Sequence, residues 1–322
     1  MAGPELAPPV RGLRHRWAEL PAPLRAEVEA GLGAGVARAN SVPTGFSPGV
    51  AARLTLRDGR RVFAKAVTRS WNRDTLTLHR HEAEITAALP EGTPAARLLL
   101  SVSHPEWAVL VLEHLEGRSP RIPWRRQELE LVLAALEVLA DLLTPSPVST
   151  DLASRLAGFA DGFLRLRERR ERAGDRLDDV DPWAVRNLDR LVELEAGWSA
   201  AVQGDTLCHF DLRQDNILIH SSRVTFVDWA QAMIGPRWLD LAALLPSVAA
   251  QGGPDPWTVF PSHPLASGVD DHAIATVVGA MTGYCLLRQT LPPPPGMPTV
   301  RAFQRAVGVP SLAWLKRLSD WR

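Results

Sequence analysis

Apolar and polar positions follow two different periods along this chain, and the change of period predicts its elements. Residues 60–67, Arg-Arg-Val-Phe-Ala-Lys-Ala-Val, read as a strand. Asp58-Gly59, just ahead of it, is a strong hairpin turn signal. Over residues 70–89 the period lengthens to that of a helix, with Leu78, Glu82, Ile85 and Leu89 on one face. Glu82 is therefore an acid on an apolar stripe, whereas Glu84 lies about 160° away and is expected in water. Residues 127–143 predict another helix, with a stripe of Leu129, Val132, Leu133, Leu136 and Leu139 widened by Leu131, Val138 and Leu142. A face this broad predicts a central helix. Further on, Ile217-Leu218-Ile219 and Val224-Thr225-Phe226-Val227 form two short strand-like runs around a His220-Ser221-Ser222-Arg223 turn. Residues 21–31 predict a short helix with Leu24 and Val28 on one face, and the Pro- and Arg-rich residues 1–20 are expected to be partly loose. Residues 164–176 predict a solvated helix laced with ion pairs, and prolines 292–295 a stiff connector before a last amphipathic helix.

Composition narrows the class. A chain of 322 residues predicts two domains, and 46% hydrophobic residues with 36 basic against 36 acidic side chains predict a soluble globular protein. That balance argues against nucleic acid as a partner. No membrane association is expected, since the 127–143 helix is too short and carries Glu128, Glu130, Glu137 and Asp141. Cys208 and Cys285 propose neither a disulfide framework nor a metal site, so a cytoplasmic location is expected.

The chemistry concentrates in residues 207–229, which contain His209-x-Asp211-x-x-x-x-Asn216 and then Asp228 beyond the short hairpin. That order matches the catalytic and metal-binding centre of kinase-like phosphotransferases. A hydroxyl attacking phosphorus needs a carboxylate beside it, and Asp211 is the candidate. Nucleotide phosphates need hard cations with oxygen ligands, and Asn216 and Asp228 offer an amide and a carboxylate oxygen. The plainer alternative, Asp and Asn as turn formers beside strands, stays open. Upstream, Lys65 is one of only two lysines and sits at a strand's end. A compact ammonium suits phosphate oxygens there better than a planar guanidinium; the alternative is an ordinary surface lysine. Glu82 is its natural partner or else a wetted stripe edge. The Pro43–Val50 loop, with Gly45, Ser47 and Gly49, permits close approach of backbone to phosphate.

With these pieces together the chain resembles the aminoglycoside phosphotransferase family, the small-molecule branch of the kinase-like fold. The resemblance rests on Ser47, Lys65, Glu82 within EAEITAALP, the hinge-like VLVLEHLEG, HFDLRQDN, VDW, and Gly235-Pro236-x-Trp238-x-Asp240-Leu241-Ala242. It implies a bilobal α+β fold, with residues 1–113 as a nucleotide-binding lobe and 114–322 as a mainly helical catalytic lobe. It implies Asp211 as base, Asn216 and Asp228 as magnesium ligands, Lys65 and the Ser47 loop on the phosphates of ATP or GTP, and Glu82 holding Lys65. The backbone near Glu113 and Leu115 would meet the nucleotide base. Phe210 departs from the small residue usual there. Arg213 is either a contact to the transferred phosphate or an ion-pair partner of Asp215. The acceptor expected is a small hydroxylated molecule: an aminoglycoside or other antibiotic, or a metabolite such as choline, an amino alcohol or a sugar. A non-catalytic nucleotide-binding module is the third reading. An acidic pocket for a polycation would draw on Asp175, Asp178, Asp179, Asp181, Glu193, Glu195, Asp255, Asp270 or Asp271, and a flatter acceptor on Trp238 or Trp257, which are equally candidates for the core.

Overall fold

The computed structural model describes residues 6–149 and 159–321. Its strands are β1 (Arg14–His15), β2 (Val36–Ser41), β3 (Gly49–Leu56), β4 (Arg61–Thr68), β5 (Leu98–Ser103), β6 (Trp107–Glu113), β7 (Thr206–Cys208), β8 (Ile217–His220), β9 (Arg223–Phe226) and β10 (Met233–Gly235). Its helices are α1 (Ala22–Leu32), α2 (Arg73–Ala88), α3 (Arg126–Leu142), α4 (Gly162–Ala173), α5 (Pro182–Arg186), α6 (Leu188–Ala196), α7 (Trp198–Ala201), α8 (Leu239–Ala250), α9 (Pro256–Val259), α10 (Asp271–Arg288) and α11 (Val300–Ser319).

The first six strands make one sheet in the order β1-β3-β4-β6-β5, with β2 also paired to β3. Asp58 Oδ1 accepts from the Arg60 amide at 3.0 Å and Gly59 has φ 87°, which turns β3 into β4. Alternation along β4 sends Val62, Ala64 and Ala66 into a core shared with Leu24, Val28 and Leu32 of α1. Lys65, one residue out of step with that set, faces the other side, where α2 packs on β4 and β6. Asn72 caps α2 by accepting from the Thr75 amide at 2.8 Å, a contribution of about 1 kcal/mol. The rest of the chain is mainly helical around a second core, with β7–β10 and β8–β9 as small antiparallel pairs.

Three expectations change. Of the N-terminal stretch, residues 1–5 lie outside the described residues and residues 6–20 are packed, not loose: Ala7, Val10, Trp17 and Leu20 are buried, and β1 runs parallel to β3 where β2 has left its edge. The widened stripe of α3 is too generous, since Val138 stays 54% exposed and Leu142 is exposed as well. Helix α10 is more enclosed than α3, packed against α4, α6, α7, α8 and α11. Because it is apolar on every side it carries no amphipathic period, so the periodicity that marks a half-buried helix passes over it. Helix α4 makes its predicted ion pairs, Arg165–Asp161 at 2.6 Å among them, yet buries Phe163 and Leu166 beneath them. No helix among the described residues is long and apolar enough to cross a membrane.

Candidate active site

Lys65 sits at the junction of three elements. Its ammonium donates to Glu82 Oε1 at 2.7 Å, to Glu82 Oε2 at 2.8 Å and to Asp228 Oδ1 at 2.8 Å. Glu82 is 1% exposed on its side chain and Lys65 13%, so neither the surface-lysine nor the wetted-edge alternative describes them. Leu78 and Leu89 are only partly buried; the face that α2 buries is led by Leu76, His79, Glu82 and Ile85. Burial opposes the Lys65 charge, but Asp228 and Glu82 raise it above the ordinary lysine value. Burial likewise works against ionised Asp228, yet Lys65 and then Arg213 hold it well below the carboxylate range. Glu82 is pushed up to about 7 by burial, against the pull of Lys65 and with Asp228 adding to the rise.

The loop after β7 is held by Asp240 in the first turn of α8. Its two oxygens accept from the His209 amide at 2.8 Å and the Phe210 amide at 2.7 Å. Phe210 adopts φ 60°, a left-handed conformation costly for a bulky side chain. Its ring packs against Phe159 and Trp198, so it forms wall rather than obstruction. The His209 Nε2–H donates to the Val227 carbonyl at 2.9 Å, and Asn216 O accepts from Val227 N at 2.9 Å, which draws the β8–β9 hairpin back to the loop. Asp228 then turns through φ 71°. Arg213 makes the expected ion pair with Asp215, Nε to Oδ1 at 3.1 Å, and also donates to Asp211 Oδ1. Asp211 keeps 29% of its side chain exposed, and its carboxyl is pushed up to about 6 by burial, with Arg213 opposing and Asp228 and Asp215 adding.

Two cavities meet here. The first, about 370 Å³, is lined by Ser47, Lys65, Glu113, Leu115, Asn216 and Asp228, with Val50, Phe63, Leu112, Leu218 and Val227 as apolar walls. The second, about 260 Å³, contains Asp211, Arg213 and a largely apolar wall. Ser47 and Asp228 border both. The donor set of the first suits a hard cation. Asn216 Nδ2 donates to the Asp211 carbonyl at 2.8 Å, which fixes the amide and makes Oδ1 the atom available to a metal. Among the described residues no group of three or more His, Cys, Asp or Glu forms a metal cage. Magnesium commonly takes only one or two protein oxygens, with phosphates and water completing its shell.

None of the acids considered for a polycation site lines either cavity. They are engaged elsewhere: Asp175 with Arg169 at 2.5 Å, Asp181 and Asp270 as helix caps, and Glu195 accepting from the Phe163 amide at 3.0 Å. Trp238 is edge-on to Phe260, and Trp257 lies under Arg317 at 4.0 Å, so neither lines a cavity.

Arg14 is a site residue that no local pattern announces. Its Nε donates to the Val42 carbonyl at 3.1 Å and its Nη2 to Gly45 O at 2.8 Å, and the guanidinium also bonds the Thr44 and Ser47 carbonyls. The Pro43–Val50 loop therefore turns carbonyls inward at these positions, and a guanidinium from β1 restores positive charge to the first cavity. Gly49 lets the loop join β3, since a Cβ there would meet Ala66 O at 2.5 Å. Only a resemblance motif contained Asp240, and nothing in that motif says that its carboxylate clamps two amides.

The comparisons with known proteins agree with this architecture. The chain covers 92% of itself and 98% of choline kinase LicA from Streptococcus pneumoniae, at 14% identity and TM-score 0.59. Amicoumacin kinase hAmiN, in complex with AMP-PNP, Ca2+ and Ami, aligns with 94% of this chain and 93% of its own, at 14% identity and TM-score 0.56. An aminoglycoside-3'-phosphotransferase of type VIII aligns with 77% and 93%, at 21% identity and TM-score 0.50. No curated protein matches the sequence. At these identities the structures establish a shared kinase-like fold, β-rich in its N-terminal part and helical in its C-terminal part. The sequence itself goes further: residues 39–263 match the model of the phosphotransferase enzyme family, APH, and the chain belongs to that family.

Proposed function

We propose that the protein transfers the γ-phosphate of a nucleoside triphosphate, ATP or GTP, to a hydroxyl of a small molecule. The observation that carries this reading is the pair of cavities that share Ser47 and Asp228, with Lys65 in one and Asp211 in the other. The nucleotide occupies the first cavity, its phosphates at Lys65 and the Arg14-ordered loop and its base toward Glu113 and Leu115. Residues 1–113 supply this lobe and 114–322 the catalytic one. Asn216 and Asp228 would hold magnesium, which when bound supplies neutralising charge for the phosphates. Glu82 keeps the Lys65 ammonium on its strand side. Arg213, itself held by Asp215, orients the Asp211 carboxylate.

In the transfer the acceptor oxygen forms a bond to the γ-phosphorus while the bond to the β,γ-bridging oxygen breaks. The hydroxyl proton passes to Asp211 and the nucleoside diphosphate leaves. A base so placed contributes about 10²- to 10⁴-fold.

ADP release from Mg-ATP over a panel of hydroxylated antibiotics, amino alcohols, sugars and neutral alcohols tests the proposal, with Asp211→Asn as control. Acceptor-dependent release that the variant loses is the expected result. Nucleotide binding with no release for any acceptor would favour a non-catalytic module instead.

A further inference from the structure

The acceptor cavity has a chemistry of its own. Four of the chain's eight phenylalanines and its single tyrosine converge there: Phe46, Phe159, Phe210, Phe303 and Tyr284. Phe159 stacks on Tyr284 at 4.8 Å and meets Phe210 edge-on at 5.0 Å, while Phe46 is edge-on to Phe303 at 5.5 Å. Met281 and Met297 add adaptable apolar surface. Polar groups on the wall are partly spent. The Ser247 and Ser311 hydroxyls donate to carbonyls of their own helices at 3.0 and 2.9 Å, and Gln304 joins Tyr284 Oη at 3.3 Å.

Charge points the same way. Among the described residues the carboxylates on this wall are Asp211 and Asp228, and each already has a cation, Arg213 and Lys65 respectively. Arg288 covers the Tyr284 ring at 5.3 Å and Arg213 the Phe46 ring at 5.1 Å, so two aromatic faces suited to a ligand cation hold guanidinium groups instead. Arg301 donates to Gln304 at 2.8 Å and adds further positive charge behind it. A ligand with several ammonium groups would shed its hydration here without gaining an unpaired carboxylate. The volume, about 260 Å³, lies just under the roughly 300–1,000 Å³ of drug-sized sites and suits a body of one or two rings.

We infer that the acceptor is a small uncharged hydroxyl compound with an aromatic or otherwise apolar body, and not a polyamine or a quaternary ammonium. The inference rests on the phosphotransferase reading of the same site, so its test separates binding from turnover. Ligand-observed NMR titration of the full chain with AMP-PNP and Mg2+ would compare 2-phenylethanol and 2-naphthylethanol with kanamycin and choline. The arylalkanols should bind at least about tenfold tighter. Met281→Asp, which adds a carboxylate to the wall, should erase that ratio. Phe303→Ala, expected to weaken arylalkanol binding about tenfold, carries the test if the acidic variant does not fold. Tighter binding of kanamycin or choline, or no binding of the arylalkanols, overturns the inference. ADP release from Mg-ATP is scored separately. Arylalkanol binding without stimulated release sinks phosphotransfer and leaves the cavity's preference standing; release driven by a polycation does the reverse.

Discussion

The two cavities are neighbours built on opposite principles. The nucleotide side uses charged and polar groups held by directional hydrogen bonds: Arg14 on four carbonyls, Lys65 between two carboxylates, Asn216 fixed by the loop it serves. Each group there has a fixed geometry, and loss of one leaves a buried partner uncompensated. The acceptor side uses area: rings and thioethers from segments far apart in sequence, with few directional contacts. Such a wall tolerates exchange of one apolar residue for another and discriminates mainly by size and charge. The difference teaches where change is affordable in this fold: the half that handles phosphate is rigidly specified, and the half that chooses the acceptor is free to drift.

That contrast can be broken or sharpened in several ways, from large effects to small. Asp211→Asn should lower kcat by about 10²- to 10⁴-fold while nucleotide affinity, measured by calorimetry, stays within a few-fold; near wild-type turnover would remove Asp211 as the base. Glu82→Ala should cost about 3–5 kcal/mol of stability in urea unfolding, because buried Lys65 loses its closest counter-charge; a cost below 1 kcal/mol would mean that Asp228 alone satisfies Lys65. Asp240→Ala frees the His209 and Phe210 amides, at about 1–3 kcal/mol each, and should lower kcat more than it raises KM for ATP. Arg14→Ala should do the opposite, raising KM for ATP with kcat little changed. Equal changes in both constants would make Arg14 a merely structural residue.

The pH response gives the gentlest test. Asp211 binds its proton more tightly in the folded chain, at about 6 against an ordinary 3.8. The folded state then holds more protons than the unfolded one between those values, so the Asp211 contribution to stability falls as pH rises through that window. Activity runs the other way, since the base must be ionised: kcat should rise with pH through about 6. An activity profile flat across that range would contradict both Asp211 as base and its raised pKa.

The convergence of Lys65, Glu82, Asp211, Asn216 and Asp228 was legible because Lys65, Asp211, Asn216 and Asp228 stand next to a turn or strand and Glu82 interrupts the apolar stripe of a helix, patterns that are short and local. Arg14 was not, being one basic residue in a Pro- and Arg-rich stretch whose partner loop lies about thirty positions on. The acceptor wall was not legible either, because apolar residues mark a core and a cavity with the same letters. Trp238 and Trp257 illustrate this: as candidates for an acceptor face or for the core, they pack with the core, away from both cavities. Several of the acids considered for a polycation pocket, Asp175, Asp181 and Asp270 among them, went to caps and ion pairs.

The N-terminal segment has a consequence for how the chain is made. Ala7 N bonds Ala250 O at 2.9 Å, Leu13 N bonds Gly296 O at 2.7 Å, and Arg11 N bonds the Thr299 hydroxyl at 3.1 Å. Residues 7–13 therefore wait for partners synthesised about 240 to 290 residues later. Contacts so distant in sequence carry the largest loop-closure cost and form late. The sheet of β2 to β6 has all its strands by residue 113, and β1 pairs with β3 among them, but the Leu13–Gly296 bond that flanks β1 forms only once the α10–α11 connection exists. Since β1 carries Arg14, the setting of the phosphate loop depends on chain as far along as residue 299.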